Sequence, residues 1–275
     1  MSDPTRRGGR VAELEIRAYG ACIGVHLDDE LVDELRPRLE PATTNAAASD
    51  TATPDEVVRI EGGDAGGSVT SESGGNFDCA DREELLRVAA SQVHLCVAVH
   101  AKDVVFVHAG AVAWRGRGIV LPGRSMAGKT TLTRALVTAG AQYCSDEYAV
   151  LDAEGMLHPY PKPMSVRVPG GPSRVVPPDQ VGDVASGPVP VGLVLATRHH
   201  DGAEWDPTTL DRSTGALALV DNAVVASVHP VLTLDVAAAT VARARCLQGD
   251  RPDADRTAAQ ILSVLDEVID GATTT

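Results

Sequence analysis

Eight residues near the middle of the chain, Gly123-Arg124-Ser125-Met126-Ala127-Gly128-Lys129-Thr130, carry the pattern GxxxxGK[ST]. Small residues at this spacing let successive backbone N–H groups curve round a phosphate. A helix beginning at Lys129 adds the partial positive charge of its N-terminus. In that geometry Lys129 neutralises the β- and γ-phosphates of a nucleotide, and Thr130 offers its hydroxyl to Mg²⁺. The expected nucleotide contacts run from Gly123 through Thr131, and the implied cofactors are ATP and Mg²⁺. A glycine-bearing turn can match the same letters by chance. Here, however, the flanks are those the motif needs. The apolar run Gly118–Leu121 leads in, and Leu132, Ala135, Leu136 and Ala139 follow at helical spacing.

The adjacent acids Asp146 and Glu147 come next. A helix over Lys129–Ala139 carries the chain about 16 Å away from the phosphates at 1.5 Å per residue. A return strand at 3.3 Å per residue needs about five residues, and Ala141–Ser145 supplies them. Asp146 is therefore expected level with the loop. Two carboxylates there suit Mg²⁺, directly or through water, and activation of an attacking hydroxyl; the bland alternative is a solvated acidic turn. Thr130, Asp146 and Glu147 form the expected metal set. His108, in Val107-His108-Ala109-Gly110, ends an apolar strand ahead of the loop. By itself a histidine there is more often a hydrogen-bonded structural residue than a catalytic one.

The elements that must position these residues read as an alternation of strands and helices. Upstream, Val11–Tyr19 and Ala21–Leu27 look like strands split by Gly20, and Asp28–Leu39 like an acidic helix stopping before Pro41. Residues 41–77 read as an extended loop around one strand, Glu56–Ile60, flexible near 41–54. Asp81 with Glu84 forms a capping box for a helix reaching Ala101. Short strands then follow at Val104–Val107, Ala111–Trp114 and Gly118–Leu121. Beyond the loop, strands are expected at Ala141–Ser145, Tyr148–Asp152, Met164–Val168 and Val191–Ala196, with a loop over Pro169–Pro178. Helices are expected at Ser213–Asn222, Asp235–Arg245 and Asp253–Ile269. The change of character near Asp103 divides an N-terminal α+β domain, residues 1–103, from a core over residues 104–275.

Composition bounds the partners. With 24 basic against 38 acidic residues the net charge is −14, a field that repels nucleic acid and anionic membrane. Apolar runs such as Val93–Ala101 are far shorter than the roughly 20 residues of a membrane span. The polar start leads into no apolar segment, so no signal peptide is expected and the location is read as cytoplasmic. Five cysteines with no CxxC pair read as reduced, mostly buried thiols. The only lysines are Lys102, Lys129 and Lys162, so two of the three fall in segments with candidate chemistry.

The segment His108–Asp152 resembles the catalytic core of HPr kinase/phosphorylase and of the wider HPr-kinase-like group, related to ATP-dependent phosphoenolpyruvate carboxykinase. His108 precedes Gly123 by 15 residues and Asp146 follows it by 23, the spacing of that core. The resemblance implies an α/β fold: a P-loop HPr kinase/phosphoenolpyruvate carboxykinase-like core with a smaller α+β N-terminal domain. It implies transfer of the ATP γ-phosphoryl group to a hydroxyl, foremost a serine of a peptide or protein. Kinase action on a small hydroxylated metabolite, and a low-turnover nucleotide-dependent switch or scaffold, are the alternatives. In the implied site Asp146 takes the hydroxyl proton, His108 is its neighbour, Lys129 serves the phosphates and Glu147 helps hold Mg²⁺. The acceptor is a hydroxyl-bearing peptide, protein or small molecule, and homo-oligomerisation is left open.

The chain departs from that pattern at Met126, where an inner glycine is usual, and at Glu147, where an Asp is usual. No glutamate-arginine-glycine signature stands near Val166–Gly171. The proline-rich run from Pro159 to Arg167 looks like the shorter HPr-kinase-like proteins of peptide natural-product pathways, lasso-peptide kinases among them. Lys162 and Arg167, placed on one strand, could reach phosphoryl oxygens, or serve as a snorkelling lysine and a salt-bridged arginine. Arg198 is a weaker candidate for the same role.

Overall fold

The computed structural model describes residues 11–47, 53–123, 127–166 and 174–273. Arg124, Ser125 and Met126 of the phosphate-loop pattern, Arg167, and residues 48–52 of the stretch expected to be flexible lie outside these. The chain divides between Lys102 and Asp103 into two compact units, and both mix helices with sheets.

The first unit is a six-stranded sheet carrying two helices. In chain order it comprises β1 (Val11–Ala18), β2 (Ala21–Asp28), α1 (Asp29–Leu39), β3 (Thr44–Ala47), β4 (Glu56–Gly63), β5 (Gly66–Ser71), β6 (Gly75–Cys79) and α2 (Arg82–His100). The strand order is β3-β1-β2-β4-β5-β6. Only β2 and β4 run parallel among the described pairings. Leu31, Leu35 and Leu39 recur every four residues and bury one face of α1. Asp81 caps α2 by accepting from the Glu84 amide (2.8 Å), while the Glu84 carboxylate reaches back to the Ala80 amide (3.0 Å), one residue earlier than in a standard box. The stretch read as a loop over 41–77 contains four strands. Three of them are rich in Gly, Ser, Thr and Asn, so no alternation of apolar and polar residues marks them, although all three pair in register.

The second unit holds the candidate chemistry. It comprises β7 (Val104–Trp114), β8 (Arg117–Pro122), α3 (Lys129–Thr138), β9 (Gln142–Ser145), β10 (Tyr148–Asp152), β11 (Met156–His158), β12 (Met164–Val166), β13 (Arg174–Val176), α4 (Pro178–Val181), β14 (Val189–His199), β15 (Thr208–Thr209), α5 (Arg212–Val220), α6 (Pro230–Arg243), β16 (Arg245–Arg251) and α7 (Ala254–Thr273). The main sheet runs β11-β10-β7-β8-β14-β16-β15, with β9 also on β7. The neighbours β8, β14 and β16 are parallel, whereas β7 is antiparallel to its partners. One face packs Leu132, Leu136, Ile261 and Leu265 of α3 and α7 against Val112, Ile119, Leu121 and Leu193. Facing Val105, Val107 and Leu151 are Leu219 of α5 and Val236 and Ala237 of α6.

Several elements differ from the sequence reading. The two strands expected at Val104–Val107 and Ala111–Trp114 are one continuous strand, and His108 sits in its middle rather than at an end. Gly110, between the two expected strands, leaves room where α3 crosses: a Cβ there would lie 2.4 Å from Thr133 Oγ1. Within the loop expected over Pro169–Pro178, β13 pairs with β12 as a two-stranded sheet. Proline at 230 starts α6 five residues earlier than expected, a position whose missing N–H costs nothing. All five cysteines are free and buried. No helix among the described residues is long and apolar enough to cross a membrane.

Candidate functional site

The strand–loop–helix step from β8 to α3 is the base of the site. Gly128 caps α3 with φ +81°, in the left-handed region where a side chain is strained. Lys129, the first helical residue, folds back so that its Nζ donates to the Gly123 carbonyl at 2.6 Å, joining the two ends of the loop. The Gly123 amide donates to the His108 carbonyl (3.3 Å), and the Ala109 amide to the Glu147 carbonyl (3.0 Å). Mid-strand β7 therefore ties the loop on one side to the acidic pair on the other. Thr130 is half-buried beside the loop, and Thr131 is exposed on the outer side of the first turn.

Asp146 and Glu147 form the turn between β9 and β10. The Ser145 hydroxyl fixes that turn by accepting from the amides of Glu147 and Tyr148 (3.4 and 3.1 Å). Asp146 is only 6% exposed. Its Oδ2 accepts from the Thr130 hydroxyl (3.0 Å) and its Oδ1 lies 3.1 Å from the Tyr143 hydroxyl. Burial raises the Asp146 pKa, and Glu147 pushes the same way; the charge of Lys162 opposes both. Lys162 Nζ pairs with Glu147 Oε2 at 2.6 Å. Burial alone would lower the Lys162 pKa, but Glu147 and Asp146 together outweigh it and hold the group above its ordinary value. Lys129 goes the other way: burial lowers its pKa, against the pull of Glu147 and Asp146.

His108 keeps part of its ring open to solvent and lies against Tyr148, with ring centroids 5.0 Å apart. Desolvation by its protein neighbours lowers its pKa, with Lys129 and Lys162 adding to the shift and Glu147 opposing it. That direction favours the uncharged imidazole. Glu147 and the two lysines are the charged groups that act on it most strongly. Lys162 precedes β12, in a run where Pro159, Pro161 and Pro163 remove ladder donors; Arg167, expected on the same strand, lies outside the described residues. That run is pinned to β9 instead, through the Tyr160 amide on the Cys144 carbonyl (3.0 Å) and the Tyr143 hydroxyl 2.9 Å from the Lys162 carbonyl. Arg198 is not drawn in. It pairs with Asp250 at 3.1 Å on an exposed edge.

Two further residues belong to the site. Tyr143 is fully buried with its hydroxyl on Asp146, and burial together with the Asp146 charge pushes its pKa well above the phenol value. The alternation of β9 could have pointed to it, since Tyr143 and Ser145 share a face and Ser145 precedes the acids. Arg251, at the end of β16, donates to the carbonyl of Gly128 (3.0 Å). No local signal marks it, because 123 residues separate the partners.

The donors suit the implied cation. Thr130 Oγ1, Asp146 and Glu147 offer hard oxygens, and the first two already lie within hydrogen-bonding distance. Among the described residues no group of three or more His, Cys, Asp or Glu could hold a metal ion by itself.

No protein-family model and no curated protein matches the chain. Among solved structures it is similar to the HPr(Ser) kinase/phosphatase from Coxiella burnetii, at 15% identity over 59% of this chain and 94% of that one. The TM-score is 0.35, too loose a likeness to carry a functional argument.

Proposed function

We propose that the chain is an ATP-dependent kinase that transfers the γ-phosphoryl group to a hydroxyl, foremost that of a serine in a peptide or protein. The observation that carries this reading is the 3.0 Å hydrogen bond from Thr130 to Asp146. It sets a buried carboxylate against the first turn of the helix that follows GxxxxGKT. In this reading the amides opening α3 bind the phosphates, and Lys129 leaves the Gly123 carbonyl for their oxygens. Asp146 takes the proton of the acceptor hydroxyl as the new O–P bond forms and the bond from the γ-phosphorus to the bridging oxygen breaks. A carboxylate whose pKa is raised by burial is a better base near neutral pH than an ordinary one. Lys162 keeps that carboxylate ionisable, and neutral His108 leaves the anionic character of Glu147 intact. Mg²⁺, held by Thr130, Asp146 and Glu147, would supply charge neutralisation on the phosphates.

The test is incubation with γ-labelled ATP, Mg²⁺ and two acceptor sets, serine-containing peptides and small hydroxylated metabolites. Label should pass to peptide. In Asp146→Asn the kcat should fall by about 10² or more with ATP still bound, since shape is kept and the proton acceptor is lost. Wild-type turnover in that variant would sink the mechanism.

A further inference from the structure

Arg251 is an anomaly in a protein of net charge −14. It is 1% exposed, the largest side chain among the fully buried. Among the described residues its guanidinium hydrogen-bonds to backbone carbonyls alone, that of Gly128 through Nη2 (3.0 Å) and that of Pro252 through Nη1 (3.2 Å). Among the described residues Nε has no hydrogen-bond partner, and no carboxylate pairs with the group. Asp253 acts on it only at longer range, and burial pulls its pKa down. A desolvated, uncompensated cation is a net cost to a fold. Acidic side chains are abundant in this chain, yet among the described residues Asp253, at that longer range, is the carboxylate that acts on it.

What Arg251 touches explains its position. The Gly128 carbonyl accepts from the Leu132 amide as the first bond of α3 (3.0 Å) and from Arg251 as well. The peptide between Gly128 and Lys129 is planar and trans, so fixing its carbonyl on Arg251 fixes the Lys129 N–H in the opposite direction. That N–H is one of the helix-opening donors with no partner inside the helix. The guanidinium also lies close enough that a Cβ on Gly128 would come within 2.6 Å of Nη2.

We infer that Arg251 is an anion-coupled positioning residue: its buried charge locks the last peptide of the loop with the donor facing outward, and is balanced only when a phosphate chain occupies the N-terminus of α3. This rests on the phosphate-binding reading of the loop and adds to it a second-layer cation that binds no phosphate itself. The charge reinforces the helix terminus from behind, while Lys129 acts from the front.

The test measures binding of inorganic pyrophosphate and of MgATP by calorimetry, with unfolding midpoints, in wild type, Arg251→Met and Arg251→Lys. Arg251→Met should lose pyrophosphate affinity by roughly tenfold, the size of a buried charge acting through a helix terminus. Without anion its midpoint should equal or exceed that of wild type, because an apolar side chain of similar length replaces an unbalanced charge. Arg251→Lys keeps the charge but not the fork, and should bind pyrophosphate more tightly than Arg251→Met. A midpoint for Arg251→Met below wild type without anion, or failure to fold, would make the residue a structural tie and overturn the inference. Wild-type pyrophosphate affinity in Arg251→Met would overturn it while leaving the phosphate reading standing. If wild type binds neither pyrophosphate nor MgATP, both readings fall together.

Discussion

Removing the Lys162 ammonium with Lys162→Met tests how the acidic pair is held. The side chain is 13% exposed and sits 2.6 Å from a Glu147 carboxylate that is 37% exposed. Breaking a wholly buried pair costs about 3–5 kcal/mol. Glu147 can rehydrate through its open side, whereas Asp146, buried, cannot. The expected cost is therefore smaller, about 1–3 kcal/mol, with the uncompensated Asp146 charge as its main source. The sign with pH follows from the raised Lys162 pKa. The contribution is fully present below the ordinary lysine value of 10.5 and is lost as pH rises through the higher folded value. Both tryptophans, Trp114 and Trp205, lie in the second unit, so their fluorescence in a urea titration reports that unit alone. Adding Glu147→Gln to Lys162→Met should recover part of the loss, giving a coupling of about 1 kcal/mol in a double-mutant cycle. Additive losses, with no coupling, would refute the view that these two side chains stabilise one another.

Lys129→Ala should abolish transfer and weaken ATP binding severely, and unchanged affinity by calorimetry would count against the loop assignment. Thr133 Oγ1 is buried without a hydrogen-bond partner among the described residues, so Thr133→Val should be neutral or stabilising by about 1 kcal/mol. Gly110→Ala, by contrast, should cost about 1–3 kcal/mol because its Cβ would strike that same oxygen; tryptophan-monitored unfolding distinguishes the two. In the first unit, burial would raise the Glu56 pKa, but bonds from Ser73 (2.8 and 2.5 Å) and from His100 (2.9 Å) depress it overall. Its contribution is present above the ordinary 4.5 and lost as pH falls through the lower folded value. Protection from amide exchange in β4 and α2 should thus weaken below that pH in wild type and be nearly flat in Glu56→Gln; parallel profiles would remove Glu56 as the acid-sensitive group.

Where the fold was legible, a periodic apolar face did the work. Helix α2 buries Leu85, Ala89, Val93, Cys96 and Val97, and that spacing reads as a helix without any partner in view. Strands β5 and β6 offered no such face: Gly66-Gly67-Ser68 and Gly75-Asn76 pair in register, but nothing in their side-chain types separates strand from loop. The break wrongly read at Ala109-Gly110 has the opposite origin. Gly110 lies between the two expected strands, but its missing side chain answers a helix that crosses β7 more than twenty residues later in the chain. Tertiary packing reused a turn residue for close approach, and sequence-local reasoning has no means of telling the two uses apart.

The candidate site divides along the same line. Loop, return strand and acids lie within one short stretch, so rise per residue sufficed to bring Asp146 beside Thr130. His108, Lys162 and Arg251 reach the site through sheet neighbours and proline-shaped connections, and their partners came out differently or unseen. A charge matters here through what it faces. Lys162 faces Glu147 and is retained as an ion pair; Arg251, among the described residues, hydrogen-bonds to carbonyls alone. One cation is balanced by the chain itself and the other is not, although both are arginine or lysine in an acidic sequence. Only the unbalanced one has reason to respond to an incoming anion, and that asymmetry is invisible until β16 is laid beside β14.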